Sequence, residues 1–173
     1  MPFLRFLLAL LVCIAVWAIG LRLSPWFPWW VDPFLVLVIY VGLRAAPVWG
    51  MVAGSITGLI ADAMSGGTYG LFGFANTMVA AASDRLRRRL VAQDTLRLGL
   101  IFALAAALQQ VVVAGLQFFV LASLPLPSPL MVAGKVLSTA VLGTVAIAVT
   151  EWASRAYHQW REARRRRLAI DTR

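Results

Sequence analysis

Cysteine, histidine and charge are what this 173-residue chain has least of, with one Cys, one His and seven Asp plus Glu. Cys13 alone cannot build a disulfide framework, and His158 with so few carboxylates cannot assemble a zinc or iron–sulfur site. No Ser/His/Asp arrangement, phosphate-binding glycine loop or close carboxylate pair is present to support catalysis. The chain therefore reads as a non-enzyme without a cofactor or metal. Charged residues make up 13% and hydrophobic residues 61%, at a mean hydropathy of +0.83, whereas soluble domains are roughly a quarter charged and half apolar. That is the composition of a multi-spanning membrane protein. At ~20 apolar residues per spanning helix, no length remains for a second, soluble domain.

What is present is a series of six apolar runs, at about 4–21, 31–43, 47–62, 69–84, 98–124 and 130–152. They predict an all-α, six-transmembrane-helix bundle over 1–153, followed by a basic cytoplasmic tail over 154–173. The first run is not read as a signal peptide. No A-x-A-like site follows it, and Cys13 lacks the preceding small residue of a lipoprotein signal, so Cys13 is expected to pack between helices. Pro25 and Pro28 interrupt Ser24–Trp30, whose tryptophans suit an interfacial loop. Pro47 fits the first turn of a new helix. The span from Pro47 to Ala61 rises only ~22 Å, so interfacial extension, burial in the bundle or local thinning must make up the deficit. Ala63–Thr68 reads as a tight turn, and Pro125, Pro127 and Pro129 as an extended link.

The formal charge of +9 is distributed by side. Of sixteen Lys and Arg, all but Arg22 and Lys135 fall on the N-terminus, the second and fourth loops or the tail. The positive-inside rule then sets both termini in the cytoplasm and requires an even number of spans. Arg85, Arg87, Arg88 and Arg89, with Arg164, Arg165, Arg166 and Arg167, are expected to contact anionic lipids rather than nucleic acid. The tail mixes Trp152, Tyr157 and Trp160 with arginines, consistent with a helix lying on the inner leaflet.

Gly50, Gly54, Gly58, Asp62 and Gly66 recur every four residues. Such positions drift by only ~40° and form one stripe that admits another helix to backbone distance. With Gly67 and Gly70 they are expected to serve internal helix packing or a partner interface. Asp62 is a carboxylate among apolar residues, costing ~2.5–3.5 kcal/mol at mid-membrane and less near an interface. Lys135 falls at a similar depth on the sixth helix. Two readings stand: an Asp62–Lys135 ion pair across the bundle, or a snorkelling Lys135 with Asp62 capping the turn. Asn76, Thr77, Gln109, Gln110 and Gln117 lie where lipid cannot satisfy them and must face protein or water. Gln110 and Gln117 share a face, which either glues helices or lines a cavity.

Asp32-Pro33 opening the second span, then Gly54-x-x-x-Gly58-Leu59-Ile60-Ala61-Asp62-Ala63-Met64-Ser65-Gly66-Gly67-Thr68-Tyr69-Gly70-Leu71 and a basic loop, resemble the rod shape-determining MreD family. The resemblance implies a non-enzymatic inner-membrane component of the bacterial elongation machinery. It implies MreC as partner and, through the complex, the MreB filament, RodZ, the RodA glycosyltransferase and the elongation-specific penicillin-binding transpeptidase. A fold similar to the substrate-binding components of energy-coupling-factor vitamin transporters is also implied. Such a transporter component is the alternative function, although its Ala-x-x-x-Ala coupling stripe is reduced here to Ala9-x-x-x-Cys13. An ion or proton conduit around Asp62 lacks a relay of further ionisable residues.

Overall fold

The computed structural model describes residues 2–66, 69–89, 95–121 and 128–170. Gly67 and Thr68 of the expected turn, and Pro125 and Pro127 of the expected link, lie outside the described residues. Seven helices follow in order: α1 (Pro2–Leu23), α2 (Phe27–Trp30), α3 (Pro33–Arg44), α4 (Pro47–Ser65), α5 (Leu71–Arg89), α6 (Thr95–Leu121) and α7 (Pro129–Ile170). Among the described residues there is no strand, and the architecture is all-α.

Proline sets several helix starts. α3, α4 and α7 open on Pro33, Pro47 and Pro129, where the missing N–H costs nothing and the fixed φ is already helical. The interfacial aromatic segment folds into the single turn α2, with Trp26 and Trp30 exposed. α4 runs to Ser65, three residues past the expected end of its apolar run. Ala63 and Met64 are good helix formers, and the helix stops only at Gly66, whose left-handed φ of 64° favours glycine. The extension brings α4 to 19 residues, or ~28 Å. α5 carries its helix through the arginine run to Arg89. α7 is 42 residues long, ~63 Å, so the sixth apolar run and the basic segment up to Ile170 share one helix.

α3 is the hub. Phe34, Leu35, Val38 and Ile39 are fully buried, because α3 is surrounded by α1, α4, α5, α6 and α7. One core joins Leu35, Val38 and Ile39 to Val79 of α5, Ile101 and Phe102 of α6 and Ile147 of α7. A second joins Phe34 and Leu37 to Phe6, Leu10 and Trp17 of α1 and Ala53 and Ala61 of α4. Cys13 does pack between helices: its thiol donates to the Pro33 carbonyl at 3.5 Å. Large apolar side chains stay exposed along α1, α6 and α7, the arrangement suited to lipid as solvent.

Among the described residues, four helices are long and apolar enough to cross a membrane: Phe3–Leu23, Pro47–Ser65, Arg97–Phe119 and Pro129–Thr150. α3 is apolar but has only 12 residues. α5 ends in Asp84 and the arginine run, which lowers its hydropathy.

Candidate functional site

Four helices meet at a buried polar cluster that begins with Asp32. As N-cap of α3, Asp32 accepts the Leu35 N–H on Oδ1 at 3.0 Å, a capping bond worth ~1 kcal/mol. Its Oδ2 faces the bundle. There Gln109 Nε2 of α6 donates to it at 3.3 Å and Lys135 Nζ of α7 approaches to 3.8 Å. Gln109 Nε2 also donates to Asn76 Oδ1 of α5 at 2.9 Å. Asn76 and Gln109 are fully buried and Asp32 nearly so. Lys135 lies over the Phe72 ring, 5.6 Å from its centroid. One turn on, Ser138 donates to the Trp30 carbonyl and holds α2 against α7. Asn76 Nδ2, Gln109 Oε1 and Thr139 Oγ1 remain buried without a hydrogen-bond partner.

This arrangement corrects one expectation. Lys135 pairs with Asp32 and not with Asp62, because the Asp62 carboxylate is turned to the backbone N–H groups at the start of α5. Asp62 Oδ1 accepts from Phe72 N–H at 3.0 Å, and Oδ2 from Gly70 N–H at 2.9 Å and Gly73 N–H at 3.2 Å. The carboxylate is 1% exposed and caps the first turn of α5 from the end of α4. Three orphan donors and the positive end of the helix dipole stabilise the charge there. Gly70, at φ 92°, turns its N–H back toward Asp62. Of the second reading, the capping by Asp62 is observed, while Lys135 pairs with Asp32 inside the bundle instead of snorkelling.

The glycine stripe lies inside the bundle. A Cβ on Gly54 would stand 2.6 Å from the Asn76 carbonyl oxygen, and one on Gly58 would collide with the Phe72 carbonyl and Gly73 Cα. Gly50 faces Gly42 of α3, where a Cβ would be 3.4 Å from the Gly42 Cα. α4 therefore packs on α5 backbone to backbone. Gly66 takes no part in that contact, with nothing within 4 Å of its would-be Cβ. Gly67 lies outside the described residues.

The remaining expectations divide by burial. Gln110 and Gln117 share a half-buried face, and their neighbour Gln109 is the amide drawn into the cluster. Thr77 turns back onto its own helix, donating to the Gly73 carbonyl at 2.8 Å. Arg85 is exposed. Of Arg87–Arg89 and Arg164–Arg167 the backbone is helical and the side chains lie outside what is described. Asp32 is the cluster residue the apolar runs did not single out. Its signal was an Asp immediately before a helix-opening Pro, whose cap leaves one oxygen spare for a cation.

No group of three or more His, Cys, Asp or Glu that could hold a metal exists among the described residues. The cluster offers a carboxylate, an ammonium and two amides. That set joins α3, α5, α6 and α7 through side-chain contacts. Neither a curated protein nor a solved structure matches the chain, so its expected likeness to transporter substrate components gains no support. The family model described as rod shape-determining protein MreD matches residues 1–149, and the chain belongs to that shape-determining family.

Proposed function

We propose that the chain is a non-enzymatic membrane scaffold of the bacterial elongation complex, which binds MreC and helps direct lateral peptidoglycan synthesis. The observation that carries this reading is the family match over 1–149. Through MreC it acts with the MreB filament, RodZ, RodA and the elongation-specific penicillin-binding transpeptidase. The interior supports a scaffold: Asp32, Asn76, Gln109 and Lys135 tie four helices together, and Asp62 holds the start of α5.

The chain crosses the inner membrane six times, with 1–153 as the membrane domain and 154–173 as a cytoplasmic tail. α3 is the shortest crossing, and its burial among five helices supports that assignment, since a shielded helix need not match the full bilayer. Arg5 and Arg44 line one groove, so the ends of α1 and α3 that carry them share a side. The positive-inside rule makes that side cytoplasmic. The arginines at 85–89 and 164–167 then meet the anionic inner leaflet. The glycine stripe is assigned to internal packing, and the partner face lies on helix surfaces that this packing leaves open.

The test is co-purification of the full chain with MreC in mild detergent, together with depletion in a rod-shaped host. Stoichiometric co-elution and rounding of depleted cells are expected. Elution without MreC, but with a vitamin or an ATPase coupling module, would overturn the scaffold reading.

A further inference from the structure

A groove of about 360 Å³ opens between the N-terminal part of α1, the C-terminal half of α3 and the start of α4. Phe6 and Leu37 line it and are buried, whereas Arg5 and Arg44, which also line it, are exposed. Tyr40 and Trp49 complete its aromatic wall. The Arg44 guanidinium is held 5.0 Å from the Tyr40 ring centroid, and Trp49 is backed by Phe3 at 6.3 Å. α4 starts beside the groove with no side-chain cap at Ala46, adding the positive end of a helix dipole to the same place.

A soluble anion would match the arginines and leave the apolar walls unused, and an alkyl chain would do the reverse. An amphiphile with an anionic head satisfies both. Guanidinium groups suit phosphate oxygens, which they bind in a planar fork. Aromatic side chains at the same level match the headgroup layer. We infer that the groove between α1, α3 and α4 binds an anionic phospholipid of the inner leaflet, with its phosphate at Arg5 and Arg44 and an acyl chain along Phe6 and Leu37. Its assignment to the inner leaflet rests on the orientation proposed above. It would lock the N-terminal part of α1, a helix with a large exposed surface, to the rest of the bundle.

The experiment uses the full chain in non-ionic detergent and reads lipid retention by native mass spectrometry. Phosphatidylglycerol, phosphatidylcholine and inorganic phosphate are the separate probes. The wild type is expected to hold phosphatidylglycerol about tenfold more tightly than phosphatidylcholine, and the Arg5→Gln/Arg44→Gln variant to lose about thirtyfold for phosphatidylglycerol alone. Ala9→Phe narrows the groove, which Ala9 also lines, and keeps both cations; it is expected to lose the bound lipid too. Arg22→Gln, at the other end of α1, is the unchanged control. Far-UV circular dichroism establishes that each variant is folded. Undiminished retention of phosphatidylglycerol in the folded double variant or in folded Ala9→Phe overturns the proposal. So does equal occupancy by inorganic phosphate, which would make this a free-anion site. Loss of MreC co-elution with lipid retention intact would sink the scaffold reading and leave the lipid site standing; the opposite result would do the reverse.

Discussion

Gln109 Nε2 on α6 donates to Asn76 Oδ1 on α5 at 2.9 Å, with both side chains fully buried. The same nitrogen reaches Asp32 Oδ2, so one amide links the cap of α3 to two other helices. Interhelical hydrogen bonds within membranes average only ~0.6 kcal/mol. Leaving one partner buried and unmade costs more, ~1–3 kcal/mol. Gln109→Leu is therefore expected to destabilise the bundle by about 2 kcal/mol. The Gln109→Leu/Asn76→Leu pair should cost less than the sum of its singles. Unfolding in sodium dodecyl sulfate, followed by circular dichroism, measures both; strict additivity would mean the two amides do not cooperate.

Gly58 and Gly115 make opposite expectations for the same substitution. Ala at 58 would drive its methyl into the α5 backbone, whereas nothing lies within 4 Å of a Cβ at 115. Overpacking against backbone costs ~1–3 kcal/mol. Replacing an unconstrained helical glycine gains roughly 0.5–1 kcal/mol. Gly58→Ala should lower the thermal midpoint in detergent and Gly115→Ala hold or raise it. Equal shifts would mean that α4 and α5 are not in backbone contact.

The glycine stripe was legible because a four-residue repeat of small residues has one geometric consequence, a smooth helix face. Helix existence was legible from the apolar runs, and the starts of α3 and α4 from Pro33 and Pro47; Pro129, expected in an extended link, instead opens α7, because a proline suits the first turn of a helix as well as it suits a link. The ends were less so. Asp62 closes the apolar run and so points to itself as the end of α4, whereas the local signals for Ser65 were the helix formers Ala63 and Met64 and a glycine at 66 able to take the left-handed stop. The ion pair was read with the wrong carboxylate for a related reason. Depth matched Lys135 to Asp62, but depth says nothing about oxygens already used. The N–H groups of Gly70, just before α5, and of Phe72 and Gly73 within it hold the Asp62 carboxylate, and that tertiary fact is not written in the spacing.

Asp62 itself should be intolerant of its amide analogue. Asn keeps one acceptor but presents an NH2 group to backbone donors, so at least one of the Gly70, Phe72 and Gly73 N–H groups loses its partner. Loss of a charge-assisted cap together with an orphaned donor is expected to cost about 2–3 kcal/mol. Hydrogen exchange is the direct measurement. The Gly70, Phe72 and Gly73 amides should exchange markedly faster in Asp62→Asn, while amides in the middle of α6 stay protected. Unchanged exchange at those three positions would show that the carboxylate does not hold the turn.

Asp32 and Lys135 are not a simple charge pair, and exchanging their signs tests the difference. Asp32 has two duties: Oδ1 caps α3 through Leu35 N–H, and Oδ2 receives Gln109 and faces Lys135. A lysine at position 32 could do neither, because an ammonium donates and cannot accept. Lys135→Met leaves a buried carboxylate without its cation. Breaking a fully buried pair costs ~3–5 kcal/mol; at 3.8 Å and with Lys135 16% exposed, about 1–3 kcal/mol is the expected loss. Asp32→Asn retains a capping oxygen and should cost less than Asp32→Ala by about 1 kcal/mol. The Asp32→Lys/Lys135→Asp exchange should remain as unstable as the worse single variant and fail to restore rod shape in depleted cells. Recovery of both stability and shape by the exchange would reduce Asp32 to a counter-charge and remove the cap and the amide contact from the account.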